Sequence, residues 1–555
     1  MFPVNESSPW SPWRHQAFRA IWLAGLVSNI GNWMQNVAAA WVMTSLTDAI
    51  FMVALIQTAS GLPSFLLALP AGAAADLIDR RRLMLCAQAV MLVVSVALSA
   101  AMLTGHMTPW LLLGLTFALG CGNAISMPAQ QATTSDVVPQ AEVGRAVVLS
   151  GISFNGARAV GPLVAGVLIA WAGSAAVFVA NVLSFLVVIV LLWRWKNPRR
   201  EASLARERLF GGVVAGLRYV RHAPVMHMLI VRSLVFVCSS SALWALLPIV
   251  ARNQLGLSAA GYGVMLASLG AGSVLGAGIM PRLRQRLGPT RMMAIATCVF
   301  ALASVVLAYV RVVPLVCAAL VLAGVAWISI NATISAAVHT SVAHWVRGRV
   351  LAIHLLFFQG GMAGGAVFWG AVATWADPSA ALGLSSIGMV VGLLLMRRRT
   401  LVLNDGTDLL LAPALFHARH ANRDIASGRV LMRVRYSACA QNADALVKAL
   451  HALGRSRMRN GAHRWRVQLR RGETGETGEK GEKGETGEKG ETVTAVETWM
   501  MPSWDDWLRH GERRVLADHR LEDAVQSLQR DLGEPRVAMR VIAERTQRPT
   551  RHGPA

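Results

Sequence analysis

Between residues 18 and 396 the chain is a succession of long apolar runs separated by short polar breaks. A hydrocarbon core of ~30 Å takes ~20 helical residues to cross. Runs of that length fall at 18–44, 49–75, 83–104, 109–135, 145–171 and 174–193, then at 225–250, 258–281, 291–311, 313–340, 349–375 and 379–396. The expectation is an all-α membrane part of twelve transmembrane helices in two six-helix halves. After residue 399 the period changes. Arg429–Tyr436 alternates, with Val430, Met432, Val434 and Tyr436 on one face, and His463–Arg470 does the same with Trp465, Val467 and Leu469. Such period-two runs predict half-buried strands. Leu446, Leu450 and Leu453 predict a helix between them, and Ser503 is placed to cap another beginning at Trp504. With strands near Val493–Met500 and Val537–Ala543, the order is β-α-β-β-α-β, that of an α+β ferredoxin-like soluble domain.

The two membrane halves repeat one another. Val143–Trp171 aligns without a gap on Arg347–Trp375 at an offset of 204 residues, setting Arg145 on Arg349, Gly161 on Gly365, Gly166 on Gly370 and Trp171 on Trp375. Gly72 and Arg80 fall on Gly276 and Arg284 in the same register. A duplicated half accounts for this. The resulting organisation is a cytoplasmic N-terminus (1–17), the first half (18–193), a linker (194–224), the second half (225–396), a second linker (397–428) and the ferredoxin-like domain (429–545).

Composition agrees with the pattern: 54% hydrophobic, 15% charged. The net charge of +23 could suit nucleic acid, but most arginines before Thr400 sit in short loops between apolar runs. They read as orientation signals instead, with no nucleic-acid partner. One side carries Arg14, Arg80–Arg82, Arg145, Arg194, Arg347, Arg349 and Arg397–Arg399; the opposite loops hold little beyond Arg252 and Arg311. Both termini are therefore expected in the cytoplasm, the first span being retained because Met1–Ala17 lacks a cleavage-type signal. The six cysteines show no zinc or disulfide spacing, so neither metal nor cofactor is expected. Gly472–Thr492, seven Gly-Glu-Thr/Lys triplets, reads as a solvated, disordered loop insertion, with a short collagen-like triple helix as the alternative.

Several residues stand out against this apolar background. Asn29, Asn32 and Asn36 share one helical face in the first span, with Ser28 and Gln35 nearby. Lipid would penalise that face, so it lines a wet cavity or bonds other helices. Arg158 lies ~20 Å into the bilayer, counted from Arg145, and no acidic residue sits midway along any span. It either bonds backbone carbonyls and Asn155 or attracts an anionic or oxygen-rich substrate group. Its duplicate is Met362. Ala157, Gly161 and Ala165 form a small-residue ridge beside Pro162, a packing surface first and a hinge second. At the inner end of the second span, Asp76 and Asp79 adjoin Arg80, Arg81 and Arg82. This is a solvated turn or an ion-pair latch.

Gly72, Asp76, Arg80 and Arg81 resemble the loop signature of the major facilitator superfamily, with Leu77 and Asp79 departing from it. Gly161-Pro162 with Gly166 resembles the fifth-span signature of its antiporters, where Ala165 is a departure. Ser28-Asn29-Ile30-Gly31-Asn32-Trp33-Met34-Gln35, Asn155–Pro162 and Arg347-Gly348-Arg349 resemble its enterobactin-exporter-like branch, the transmembrane secretion effectors. The resemblance implies a non-enzymatic, proton-driven exporter of siderophores or drugs in the inner membrane, working by alternating access. Cavity candidates are Asn29, Asn32, Gln35, Asn155, Arg158 and Gln359; gate candidates are Gly72, Asp76, Asp79, Arg80, Arg81, Asp136, Arg145 and Arg349; hinge candidates are Gly161, Pro162, Gly166 and Gly365. The tail, with Trp504, His510, Arg513 and Asp518, resembles the dimeric α+β barrel of antibiotic-biosynthesis monooxygenases, which implies pairing of two copies. Expected partners are a small-molecule substrate and the lipid bilayer. A membrane-anchored sensor or enzyme, and an importer or lipid flippase on the same fold, are the competing readings.

Overall fold

The structure, a computed structural model, describes residues 10–195, 209–343, 345–396, 428–471, 492–529 and 536–542. Residues 472–491 of the Gly-Glu-Thr/Lys tract, 196–208 of the first linker and 397–427 of the second lie outside these residues. Two compact units are present. One comprises Met1–Arg206, Leu229–Ala336 and His354–Leu401; the other comprises Glu207–Met228, Ala337–Ile353 and Val402–Ala555.

In the first unit, the helices before the duplication point are α1 (Gln16–Leu46), α2 (Ile50–Leu77), α3 (Arg80–Leu103), α4 (Pro109–Asp136), α5 (Val143–Ala172) and α6 (Ser174–Arg194). A further helix, α7 (Leu209–His222), which belongs to the second unit, occupies the stretch that reads as linker. Then come α8 (Pro224–Ile249), α9 (Ala259–Tyr309), α10 (Val313–Ser341), α11 (Arg347–Trp375) and α12 (Pro378–Met396). α9 contains two of the expected spans, parted at Gly288, whose backbone is left-handed (φ 71°). Among the described residues, eleven helical segments are long and apolar enough to cross a membrane, so this is a multi-pass membrane protein. α1 is absent from that set although it is 31 residues long. Its five polar residues between Ser28 and Asn36 dilute the hydropathy.

The duplication is visible in the packing. A Cβ on Gly161 would lie 2.6 Å from the Trp33 Cβ of α1, and a Cβ on its duplicate Gly365 would lie 2.6 Å from the Cys238 carbonyl of α8. Gly166 approaches Ala259 and Gly263 of α9, with a Cβ there 3.0 Å from the Ala259 carbonyl; its duplicate Gly370 approaches Ala54 of α2. Each half thus rests the fifth helix on its own first helix and on the second helix of the other half. Without a hydrophobic drive between helices in lipid, such close backbone contact supplies the packing.

At the end of the bundle remote from the arginine-rich loops the halves are pinned together. Arg252, just beyond α8, donates to Thr44 Oγ1 (3.1 Å) and Ser45 Oγ (2.7 Å) of α1. Its guanidinium lies over the Trp41 ring, which stacks on Tyr262 at 5.9 Å.

The second unit is built on a four-stranded sheet of β1 (Arg429–Cys439), β2 (His463–Arg471), β3 (Thr492–Met501) and β4 (Arg536–Ile542), in the order β2-β3-β1-β4 with every neighbour antiparallel. Along β1 the buried residues Val430, Met432, Val434, Tyr436 and Ala438 alternate with outward ones. Helix α13 (Ala443–Arg459) covers that inner face with Leu446, Leu450 and Leu453. The expected second helix is in fact two, α14 (Trp504–Glu512) and α15 (Leu516–Gln526). Ser503 Oγ caps α14 through Asp506 N (3.1 Å). The chain then turns extended at Val515, whose N–H is taken by the Asp518 carboxylate (3.1 Å). The apolar spacing continues through the break, which is why it reads as one helix.

Candidate functional site

Arg158 sits half-way along α5 and is 6% exposed. Its guanidinium carbon lies 4.7 Å from the Trp244 ring of α8, 5.3 Å from Trp327 of α10 and 5.6 Å from Trp33 of α1. Three indoles from both halves therefore enclose one cation. Electron-rich ring faces stabilise a guanidinium by ~1–2 kcal/mol each where water is excluded. They supply no hydrogen-bond acceptor, and Nε and Nη2 of Arg158 have no partner among the described residues. Asn155 does not fill that role: its amide donates to the Gly151 carbonyl one turn back (2.9 Å). Trp327 is fixed in turn by Phe236, Phe300 and Phe358, with ring centroids 6.0, 6.0 and 5.8 Å away. The indoles hold the cation at the meeting of the halves with two donor groups unspent.

The other cavity candidates are dispersed. Asn29 and Asn32 of α1 and Gln359 of α11 are half-buried. Gln35 is buried inside the first half, where its Oε1 accepts from Asn181 Nδ2 of α6 (3.3 Å); the same amide reaches Ser95 of α3 (3.4 Å). Asn36 Oδ1 accepts from Ser60 of α2 (3.3 Å). Those two side chains bond helix to helix, the alternative open for the polar stripe.

Five of the gate candidates, Asp79, Arg80, Arg81, Asp136 and Arg145, are anchored within the first half. Arg80 is ion-paired with Asp136 at the end of α4. Asp79 caps α3 through Arg82 N (2.9 Å). Arg81 donates to the carbonyls of Leu192 (3.0 Å) and Trp193 at the end of α6. Arg145 donates to Ser11 (3.0 Å), and His15 meets Glu142 at 3.0 Å. A Cβ on Gly72 would meet open space, and the Asp76 side chain lies outside the described ones. In the second unit, a Cβ on Gly216 of α7 would lie 3.0 Å from the Arg349 Cβ.

The second unit also holds a ring of contacts that sequence reading missed. Tyr219 of α7 accepts a hydrogen bond from Ala343 N (3.3 Å) and meets Trp345 edge-on. Arg513 lies over Trp345 (4.4 Å) and Arg459 over Tyr219 (5.5 Å), while Arg218 donates to His463 Nε2 (2.8 Å). Burial and the adjacent Arg218 push the His463 pKa down, which suits its role as acceptor. Deeper in, Glu497 accepts from Tyr436 (2.9 Å) and Trp465 (2.8 Å). Asp518 is bound by Arg459, Ser456 and Asn460. Burial alone would raise the Asp518 pKa, but these partners hold it below the usual range. His510 is buried; desolvation first, then Arg457, pushes its pKa down to about 3. Among the described residues no group of three or more His, Cys, Asp or Glu could hold a metal.

Comparison with known proteins places this architecture. The chain is 25% identical over 388 residues to the enterobactin exporter EntS of Citrobacter koseri, covering 69% of this chain and 91% of that protein. It is 20% identical over 278 residues to the staphyloferrin A transporter of Staphylococcus aureus, covering 49% and 69%. In fold it is similar to the nucleoside transporter NupG (TM-score 0.57, 12% identity, 69% of this chain and 98% of that one). It is likewise similar to a bacterial homolog of the lysosomal transporter Spinster in an inward-facing, unoccupied conformation (TM-score 0.56, 15% identity, 69% and 95%). A family model, transmembrane secretion effector, matches residues 7–547, and the chain belongs to that family of major facilitator superfamily transporters.

Proposed function

We propose that the protein exports an anionic or oxygen-rich small molecule, siderophore or drug-like, across the inner membrane by alternating access. The observation that carries this reading is Arg158, a buried cation with unpartnered Nε and Nη2 atoms inside a tryptophan cage drawn from both halves. A charge so placed is costly unless something arrives to pair with it. A substrate carboxylate or phenolate would accept from both nitrogens, and its apolar or aromatic body would lie against the indoles. The siderophore class and the outward direction rest on the relatives, whose names record an exporter and a siderophore transporter.

In this reading α1 is the twelfth crossing, its polar stripe tolerated because it bonds neighbouring helices through Gln35 and Asn36 and lines the substrate route through Asn29 and Asn32. Both termini lie on the cytoplasmic side with the arginine-rich loops, and the tail is a ferredoxin-like domain there. Asn29, Asn32, Asn155 and Gln359 line the route to Arg158, and Gly161, Pro162, Gly166 and Gly365 are the joints on which the halves rock. A proton gradient drives the cycle through the inner carboxylates, Asp136 releasing Arg80 when protonated.

The test is accumulation of anionic siderophores and hydrophobic antibiotics in cells with and without the protein. Lower accumulation of an anionic substrate in producing cells is expected. Equal accumulation of every anionic compound, with efflux of cations only, would overturn the assignment.

A further inference from the structure

The outward face of the tail sheet carries a cluster of arginines that nothing in folding the domain requires. The register sets Arg433 of β1 level with Thr498 of β3 and Arg466 of β2, and the next row sets Arg435 level with Val496 and Gln468. Arg470 follows, level with Thr494. Arg433, Arg435, Arg466 and Arg470 are all exposed, and none forms an ion pair among the described residues. The inner face opposite is the buried Val430, Met432 and Val434. On β4 the backbone pairs Arg536 with Arg435 and Arg540 with Leu431. Among the described residues, no Asp or Glu occupies a position on this face. Strand geometry spaces neighbouring arginines by ~7–10 Å along and across the sheet, and like charges so close oppose folding.

We propose that this sheet face docks on the phosphate headgroups of anionic lipids at the surface of the membrane in which the protein sits. The chain tethers the sheet to the membrane-spanning helices. The last span ends at Met396 and β1 begins at Arg429, and the unit containing the sheet also contains the end of α10 and the start of α11. A basic surface tethered next to an anionic leaflet meets it at high effective concentration. Two competing occupants fit less well. Single-stranded nucleic acid needs aromatic side chains on which bases stack, and the face offers Thr498, Val496, Gln468, Thr494 and Met500 between its arginines. A second copy would set arginine against arginine.

The experiment uses the full chain in nanodiscs of neutral phosphatidylcholine and follows its co-sedimentation with added vesicles. Vesicles containing 30% phosphatidylglycerol should bind it, neutral vesicles should not, and binding should fall steeply with salt. An arginine at an anionic surface contributes about fivefold in affinity. Arg433→Gln, Arg435→Gln, Arg466→Gln and Arg470→Gln together should therefore weaken binding by about two to three orders of magnitude. The four Arg→Lys changes should retain it. Because these side chains are exposed and their like charges oppose folding, melting of the lysine variant with the parent and of the glutamine variant at or above it separates lost docking from lost fold. Equal binding to neutral vesicles, or full binding by the glutamine variant, overturns the proposal. So does self-association through this face, or tighter binding of a single-stranded oligonucleotide than of the vesicles at the same salt. Efflux plays no part in the readout, so failure here leaves the transport assignment standing, and the reverse.

Discussion

Replacing Arg158 by Met separates a structural from a functional role for the caged cation. The favourable side is three indole contacts at ~1–2 kcal/mol each. Against it stand two unpartnered guanidinium nitrogens, at ~1–3 kcal/mol each, and the residual desolvation of the charge, several kcal/mol more. These cancel to within a few kcal/mol, and Met, the residue at the duplicate position 362, is shorter but unbranched and adapts to irregular gaps. Arg158→Met should therefore fold, with a melting temperature in detergent equal to or above that of the parent. Transport should suffer far more. Two charge-assisted hydrogen bonds to a substrate anion are worth ~1.5–3 kcal/mol each, so apparent affinity should drop by about two to four orders of magnitude, measured as the substrate concentration for half-maximal efflux in everted vesicles. Arg158→Lys should recover part of it, since Lys keeps the charge and loses the planar fork. The reasoning is refuted if Arg158→Met melts ~10 °C lower with efflux lost in proportion, or if its efflux is unchanged.

Three further outcomes follow from named contacts. A Cβ on Gly270 of α9 would lie 2.5 Å from the Ala159 Cα of α5, whereas one on Gly156 meets open space; Gly270→Ala should cost ~1–3 kcal/mol and Gly156→Ala almost nothing, read from paired melts. Asp136→Asn breaks the pair with Arg80, worth at most ~1 kcal/mol at this partly exposed site, so folding should persist while the pH dependence of efflux changes; an unaltered profile would remove Asp136 from coupling. His510, with a folded pKa near 3, sits below its unfolded value of ~6.5. The unfolded tail then binds the extra proton, so stability is complete above pH ~6.5 and is lost as pH falls toward 3. Tail tryptophan fluorescence in the full chain should report this loss, and His510→Gln should flatten it.

The backbone plan was readable because both its periods are long and repeated. Gly161 and Gly365, read as one duplicated packing ridge, each rest on the first helix of their own half. The β1 alternation is the burial pattern of the strand. The cage was half readable. Arg158 stands out as a charge in an apolar run, but Trp244 and Trp327 pass for ordinary span residues, because only the fold brings them to Arg158. The signal that could have found them is depth: tryptophan favours the membrane interface, and these lie well inside their helices. Gln35 was ambiguous because an amide serves a cavity or a neighbouring helix equally well, and only Asn181 decides its bonding. Helix α7 was masked by the basic residues around it, which read as linker.

One consequence follows from the mismatch between Arg158 and Met362. The two halves are built by near-mirror scaffolding, yet the charge of the tryptophan cage comes from one half alone, because the duplicate of Arg158 is the thioether Met362. A passenger with a charged head and a greasy body has a single favourable way round in such a chamber, so it would be carried head-first or tail-first on every cycle, never at random.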